Sequence, residues 1–233
     1  MKTQEKSEKE VLLANLVSDY LEKDVSDFLK LDAVLFNKLL NLASYQIGNL
    51  INAYELSRVS GASIPTVNKY LKIQEETYIS GRLLPFFGSR RREFSHNPKY
   101  FFIDTGLRNC LIGNFSPLSE RGDAGAIVEN FIWSELVKHR EKWQNFHFWR
   151  TRSQAEVDFV LQKADEIISI EVKFQEMKMP KVSVSLMNFI KRYSPKQAFI
   201  ITKDFIGQRE EGGVKIEYIP AVLIHELIDK LNL

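Results

Sequence analysis

The sequence is short of most features that place a protein at a glance, and each shortage excludes something. One cysteine, Cys110, stands among 233 residues, so no disulfide can form within the chain, which suits a reducing, cytoplasmic setting. As a lone thiol it reads as a small core residue rather than a nucleophile. The histidines number four (His96, His139, His147 and His225) and are too scattered to suggest a zinc site. No apolar run is long enough to span a bilayer, and the opening MKTQEKSEKE has no signal-peptide core, so no membrane partner is expected. A G-x-x-x-x-G-K-[ST] phosphate loop is absent, and with it the expectation of ATP hydrolysis by this chain. Excess charge is lacking too: the net charge is +2, so any surface for nucleic acid must be local. What is present, 44% hydrophobic and 27% charged residues, is the composition of a globular protein of one or two domains.

Residues 1–35 read as an N-terminal helical segment, in which Leu12, Leu16, Leu21, Val25, Phe28 and Leu29 recur among charges. Residues 36–115 have the pattern of a winged helix-turn-helix domain. Leu39, Leu40, Leu42 and Ile47 belong to a first helix, and Tyr54 to Ser60 to a second. After the turn Gly61-Ala62-Ser63, a third helix runs from Ile64 to about Glu76, with Ser63 as its cap and Pro65 in its first turn. Its outward side carries Thr66, Asn68, Lys69 and Lys72, residue types that contact phosphates and base edges. Tyr78 to Phe87 and Lys99 to Ile103 read as wing strands, with Arg90, Arg91 and Arg92 between them where a wing tip would meet a phosphate backbone. The partner expected from this module is DNA, as a duplex and with low sequence preference. A protein-contact module with a solvated arginine loop is the alternative, since fold does not fix function.

Asn114 to Asp123 reads as a linker, and residues 120–233 as an α/β domain with a mixed central sheet. A helix carrying Glu129 is followed by an aromatic strand, Phe146 to Arg150. Two further strands show period-two alternation: Val157, Phe159 and Leu161 against Glu156 and Asp158, then Ile170, Val172 and Phe174 against Glu171 and Lys173. With Ala164 and Asp165 as the turn of a hairpin, Asp158 falls opposite Glu171, and Glu156 opposite Lys173. Facing carboxylates repel unless a cation lies between them. An ammonium one pleat away completes the layout of a divalent-metal site for phosphodiester hydrolysis. A cross-strand ladder of ion pairs is the plainer reading of the same four charges. Beyond Lys173 the pattern gives a helix from Val182 to Tyr193, a strand from Ala198 to Thr202, a loop with Gly207, Gly212 and Gly213, a strand from Val214 to Ile219 and a helix from Val222 to Leu231.

Glu129, Asp158 and Glu171-Val172-Lys173 resemble the catalytic core of the PD-(D/E)XK nuclease superfamily, the restriction-endonuclease-like fold. The resemblance implies that Asp158 and Glu171 hold Mg²⁺ or Mn²⁺ and that Glu129 completes or orients the shell. It also implies that Lys173 orients the attacking water or stabilises charge on the phosphorane, which makes Glu129, Asp158, Glu171 and Lys173 the candidate catalytic set. Over nearly its whole length the chain is similar to the C-terminal half of a prokaryotic AAA-type ATPase family, a winged helix followed by a nuclease-like domain. Tyr20 to Val25, Glu55 to Leu71, Tyr100 to Leu107, Gly125 to Glu129, Phe148 to Thr151, Glu156 to Phe159 and Glu171 to Lys173 carry that likeness. The family's ATP-binding half is missing from this sequence, as in a truncated gene product, an excised piece or a relative that lost the motor, and the resemblance leaves open an AAA-type ATPase partner acting in trans. Two functions therefore stand side by side: a metal-dependent DNA endonuclease, and a non-catalytic DNA- or protein-binding module.

Overall fold

A computed structural model describes residues 2–20, 32–86, 97–141, 145–163 and 166–233. Leu21, Val25, Phe28 and Leu29 lie outside the described residues, as do Arg90, Arg91, Arg92, His96 and the two turn residues Ala164 and Asp165. The chain is mixed α/β, with a helical N-terminal part followed by a sheet domain. It divides into two compact units: Met1–Arg82 with Tyr100–Arg121, and Leu83–Lys99 with Gly122–Leu233.

In the first unit the helices begin where the sequence supplies acceptors for orphan backbone N–H groups. Helix α1 (Lys2–Asp19) is followed by α2 (Ala33–Ser44), α3 (Ala53–Ser60) and α4 (Ile64–Glu76). Asp32 caps α2 through Leu35 N at 3.0 Å, Asn52 caps α3 and Ser63 caps α4. Gly61 ends α3 with φ at 81°, a left-handed conformation that glycine adopts without a Cβ penalty. Val67, Tyr70 and Leu71 bury one side of α4. The first helix of this module stops at Ser44, so Ile47, expected within it, lies beyond its end and bridges to Tyr100 instead. Thr105–Leu111 forms a further helix, α5, capped by Asp104, where the sequence had offered no helical period.

Strands β1 (Ser80–Pro85) and β2 (Lys99–Phe102) carry the chain across two of the three unit boundaries. The second unit then contains α6 (Ala124–His139), β3 (Asn145–Arg150), β4 (Glu156–Lys163), β5 (Glu166–Lys173), α7 (Val184–Tyr193), β6 (Gln197–Thr202), β7 (Gly207–Glu211), β8 (Val214–Pro220) and α8 (Ile224–Leu231). The strand order of the sheet is β2-β1-β3-β4-β5-β6-β8-β7. Pairs β3–β4, β4–β5 and β7–β8 are antiparallel, whereas β1–β3, β5–β6 and β6–β8 are parallel. The segment read as a glycine loop is in fact strand β7, which Gly212 and Gly213, both at positive φ, turn into β8. Trp149, Val157, Leu186, Phe189, Ile200 and Tyr218 belong to one buried cluster of this unit.

One irregularity in the sheet positions the site. Along β3 and β4 the register steps from His147↔Val160 to Trp149↔Val157, so Asp158 and Phe159 share the place opposite Phe148. This is a β-bulge in β4, and it resets the alternation. Val157 consequently joins the same buried cluster as Val160, which a regular strand would have put on the other face.

Candidate functional site

The hairpin keeps the register that its two-residue turn dictates. Lys163 pairs with Glu166 and Phe159 with Ile170, which sets Asp158 and Glu171 at the next facing step, where the ladder ends. There the Asp158 side chain takes over from the backbone: Val172 N–H donates to Asp158 Oδ2 at 2.7 Å. A bulged residue thus turns its carboxylate onto the neighbouring strand and caps the opened ladder.

Glu171 is buried, and both its oxygens are engaged. Lys173 Nζ lies 2.9 Å from Oε1, and Ser183 Oγ donates to Oε2 at 2.9 Å. The same Ser183 oxygen accepts from Leu186 N at 3.0 Å, so the cap of α7 also fixes the Glu171 rotamer. Burial raises the Glu171 carboxyl above its ordinary value, and Lys173 and Ser183 oppose that shift. Burial lowers the Lys173 ammonium, but Glu171 outweighs it and the net shift is upward.

On the other side of Asp158 lies a residue that no motif singled out. Lys99 opens β2, belongs to the second unit and has a side chain only 1% exposed. Its Nζ lies 2.7 Å from Glu129 Oε1, 2.5 Å from Glu156 Oε1 and 3.7 Å from Asp158 Oδ1. It also lies 5.7 Å from the centre of the Phe148 ring, within range of a cation–π contact. Burial pulls the ammonium down, but Glu129, Asp158 and Glu156 together hold it above the ordinary lysine range. Glu129 reaches this point from α6, whose Val128, Ile132 and Leu136 bury an i, i+4 stripe beside it. Burial first and Asp158 second push the Glu129 carboxyl up to about 8, against the pull of Lys99. Asp158 is likewise raised by burial, with Lys99 and the Val172 N–H opposing.

The four sequence-predicted acids and bases therefore meet in one unit, but in two groups. Glu171 and Lys173 pair with each other and Ser183; Glu129 pairs with Lys99; Asp158 stands between. Glu156, expected opposite Lys173, instead bonds Lys99 and lies 3.2 Å from Arg150. The signal for Lys99 was a lysine at the head of Lys-Tyr-Phe-Phe, a strand buried at every position. A buried lysine requires acids around it. Ser183 falls inside the helix expected from Val182, so neither its role as the cap of α7 nor its bond to Glu171 was read from the sequence.

The donor set is oxygen only, which suits a hard ion. Among the described residues no three histidine, cysteine or carboxylate side chains are grouped to hold a metal. Asp158 and Glu171 are the pair that could, and Mg²⁺ commonly takes one or two carboxylates with water and phosphate oxygens completing its shell. In the first unit, Asn68, Lys69 and Lys72 are exposed on α4. Thr66 is drawn into the cap, 2.8 Å from Ser63 Oγ, and Lys72 lies 3.4 Å from Glu76. No helix among the described residues is long and apolar enough to cross a membrane.

Comparison with known proteins gives relatives but no activity. An uncharacterized protein of Haemophilus influenzae is 24% identical over 218 residues, covering 91% of this chain and 51% of that protein. Uncharacterized proteins of Mycobacterium tuberculosis and Mycobacterium bovis are each 23% identical over 173 residues, covering 73% of this chain and 38% of theirs. The chain thus spans about half or less of the length of these relatives. Residues 124–222 match a domain of unknown function, DUF4143. Residues 1–118, just over half of the chain, match another, DUF8612, and the chain belongs to that family.

Proposed function

We propose that the second unit is a divalent-metal-dependent nuclease domain and that the first unit engages duplex DNA through α4. The observation that carries this reading is the end of the β4–β5 ladder, where Asp158 on a bulge and Glu171 beside Lys173 stand at facing positions. Bulges recur next to active sites because they re-aim a side chain. Mg²⁺ or Mn²⁺, held by Asp158 and Glu171, would polarise a phosphate oxygen and lower the pKa of a bound water. Lys173 has a side chain 41% exposed, so it can reach substrate while it holds Glu171. Its raised pKa keeps it an ammonium at neutral pH, which makes it a donor to the charge that builds on phosphorus and rules it out as the proton acceptor. Ser183 fixes Glu171, and the Val172 N–H fixes Asp158, so both carboxylates are oriented before substrate arrives. Glu129 acts through Lys99 as a positioning residue rather than as a third metal ligand. The resemblance to AAA-type ATPases proposes such an ATPase as a partner in trans.

A plasmid-nicking assay with Mg²⁺ or Mn²⁺ tests this directly. Wild type should nick and Asp158→Ala should not. Equal residual nicking in both would assign the activity to a contaminant and end the nuclease reading. One observation favours a second reading, a non-catalytic binding module: Lys99, Arg150 and Lys173 already give every acid of the cluster a cation. On that reading the chain binds DNA without nicking it, with or without metal.

A further inference from the structure

The Lys99 side chain donates only, through three N–H groups, and three carboxylates surround it. Two of them, Glu129 and Glu156, lie within hydrogen-bond distance at 2.7 and 2.5 Å, and Asp158 Oδ1 lies at 3.7 Å. The Phe148 ring lies on the same ammonium, and Phe148 is the residue opposite the bulge that carries Asp158. The side chain is thus fully enclosed, with acids and an aromatic face as its walls. Neither solvent nor substrate can reach an ammonium at 1% exposure without rearrangement. It does the work a bound cation would do: it holds carboxyl groups from α6 and β4 together and offsets the repulsion between Glu156 and Asp158.

We propose that Lys99 is the resident cation of the Glu129–Glu156–Asp158 cluster and limits the site to a single divalent ion, taken on the Asp158–Glu171 side. This rests on the metal reading above for the single ion, but not for the role of Lys99. A second divalent ion would have to share Glu129 and Glu156 with a fixed ammonium, and like charges at that separation exclude one another. Removing the ammonium leaves Glu129 and Glu156 without the cation they share, an all-oxygen pair that a hard cation can take up with water completing its shell.

Counting bound Mn²⁺ by electron paramagnetic resonance on the full chain tests the inference. Wild type should bind one ion and Lys99→Met two. If wild type binds none and Lys99→Met binds one, the nuclease reading fails while the resident-cation role stands. The same count in both proteins, or two ions in wild type, overturns the inference. Should Lys99→Met not fold even with Mn²⁺, the wild-type Lys99 ammonium is observed by ¹⁵N NMR and assigned by its loss in Lys99→Arg. A slowly exchanging signal that persists in saturating Mg²⁺ supports residence. A signal that is absent, or that collapses into fast exchange when Mg²⁺ is added, overturns it.

Discussion

Glu129 offers the sharpest test of the site's electrostatics. Its carboxyl is pushed from an ordinary 4.5 up to about 8, by burial and by Asp158, against the pull of Lys99 and with Glu156 adding to the push. Below about pH 4.5 the folded and unfolded chains both hold this proton, and Glu129 contributes no pH dependence. Between about 4.5 and 8 the unfolded chain releases it while the folded chain keeps it. The unfolded state then binds fewer protons, so stability falls as pH rises across that window and levels off above it. A gap of this size corresponds to a loss on the order of 5 kcal/mol. Glu129→Gln keeps the shape and the oxygen facing Lys99 but has no proton to lose. It should match wild type near pH 4.5 and become progressively more stable than wild type up to about pH 8. Urea denaturation of both proteins between about pH 4.5 and 8.5 measures the difference. Asp158 and Glu171, also raised by burial, tilt both curves in the same direction, and the difference between the curves reports Glu129 together with its coupling to Asp158. Parallel curves, or a wild type that gains on the variant as pH rises, would refute the buried, Asp158-facing position of this carboxyl.

Two further outcomes follow from single side chains. Ser183→Ala removes the cap of α7 and a donor to Glu171, so it should cost ~1–2 kcal/mol. A double-mutant cycle with Glu171→Gln should show coupling of ~0.5–3 kcal/mol, and additive effects would separate the cap from the site. On α4, Lys69→Ala should reduce the salt dependence of duplex binding by ~0.9 in log–log slope, the share of one neutralised phosphate. Lys72→Ala should change it less, because Lys72 already pairs with Glu76; equal effects, or none, would move the DNA surface off α4. Replacing Arg90, Arg91 and Arg92 together reads the other basic stretch in the same assay.

The elements most legible in the sequence are those set by local chemistry. Ser63 and Pro65 announced α4, and the alternation through Phe174 announced β5, which ends one residue earlier, at Lys173. The hairpin register was legible too, because two residues between Lys163 and Glu166 fix every pairing up to Phe159↔Ile170. Helix α5 was not, since seven residues hold too few turns for a helical period to show. Strand β7, Gly207–Glu211, carries Gln-Arg-Glu-Glu and is an edge, where charges replace the apolar alternation that marks a buried strand. Lys99 was the largest omission in the site. Its partners come from α6 and β4, 30 to 59 residues further along the chain, and no local spacing encodes that meeting.

The bulge at Asp158 explains why the sequence brought the acids together yet mistook how they are balanced. A regular β4 would set Asp158 against Glu171 as bare like charges, with a metal ion the natural remedy, and Glu156 against Lys173 as the compensating pair. The extra residue opposite Phe148 shifts β4 so that Glu156 meets Arg150 and Lys99, while Asp158 takes the Val172 N–H. Lys173 is thereby left to Glu171 on its own strand. Each acid now has a donor or a cation of its own, and neutralising one removes an attraction as well as a repulsion. On the metal reading proposed above, a divalent ion would answer charge only on the side of Asp158 that faces Glu171, because Lys99 lies on the other.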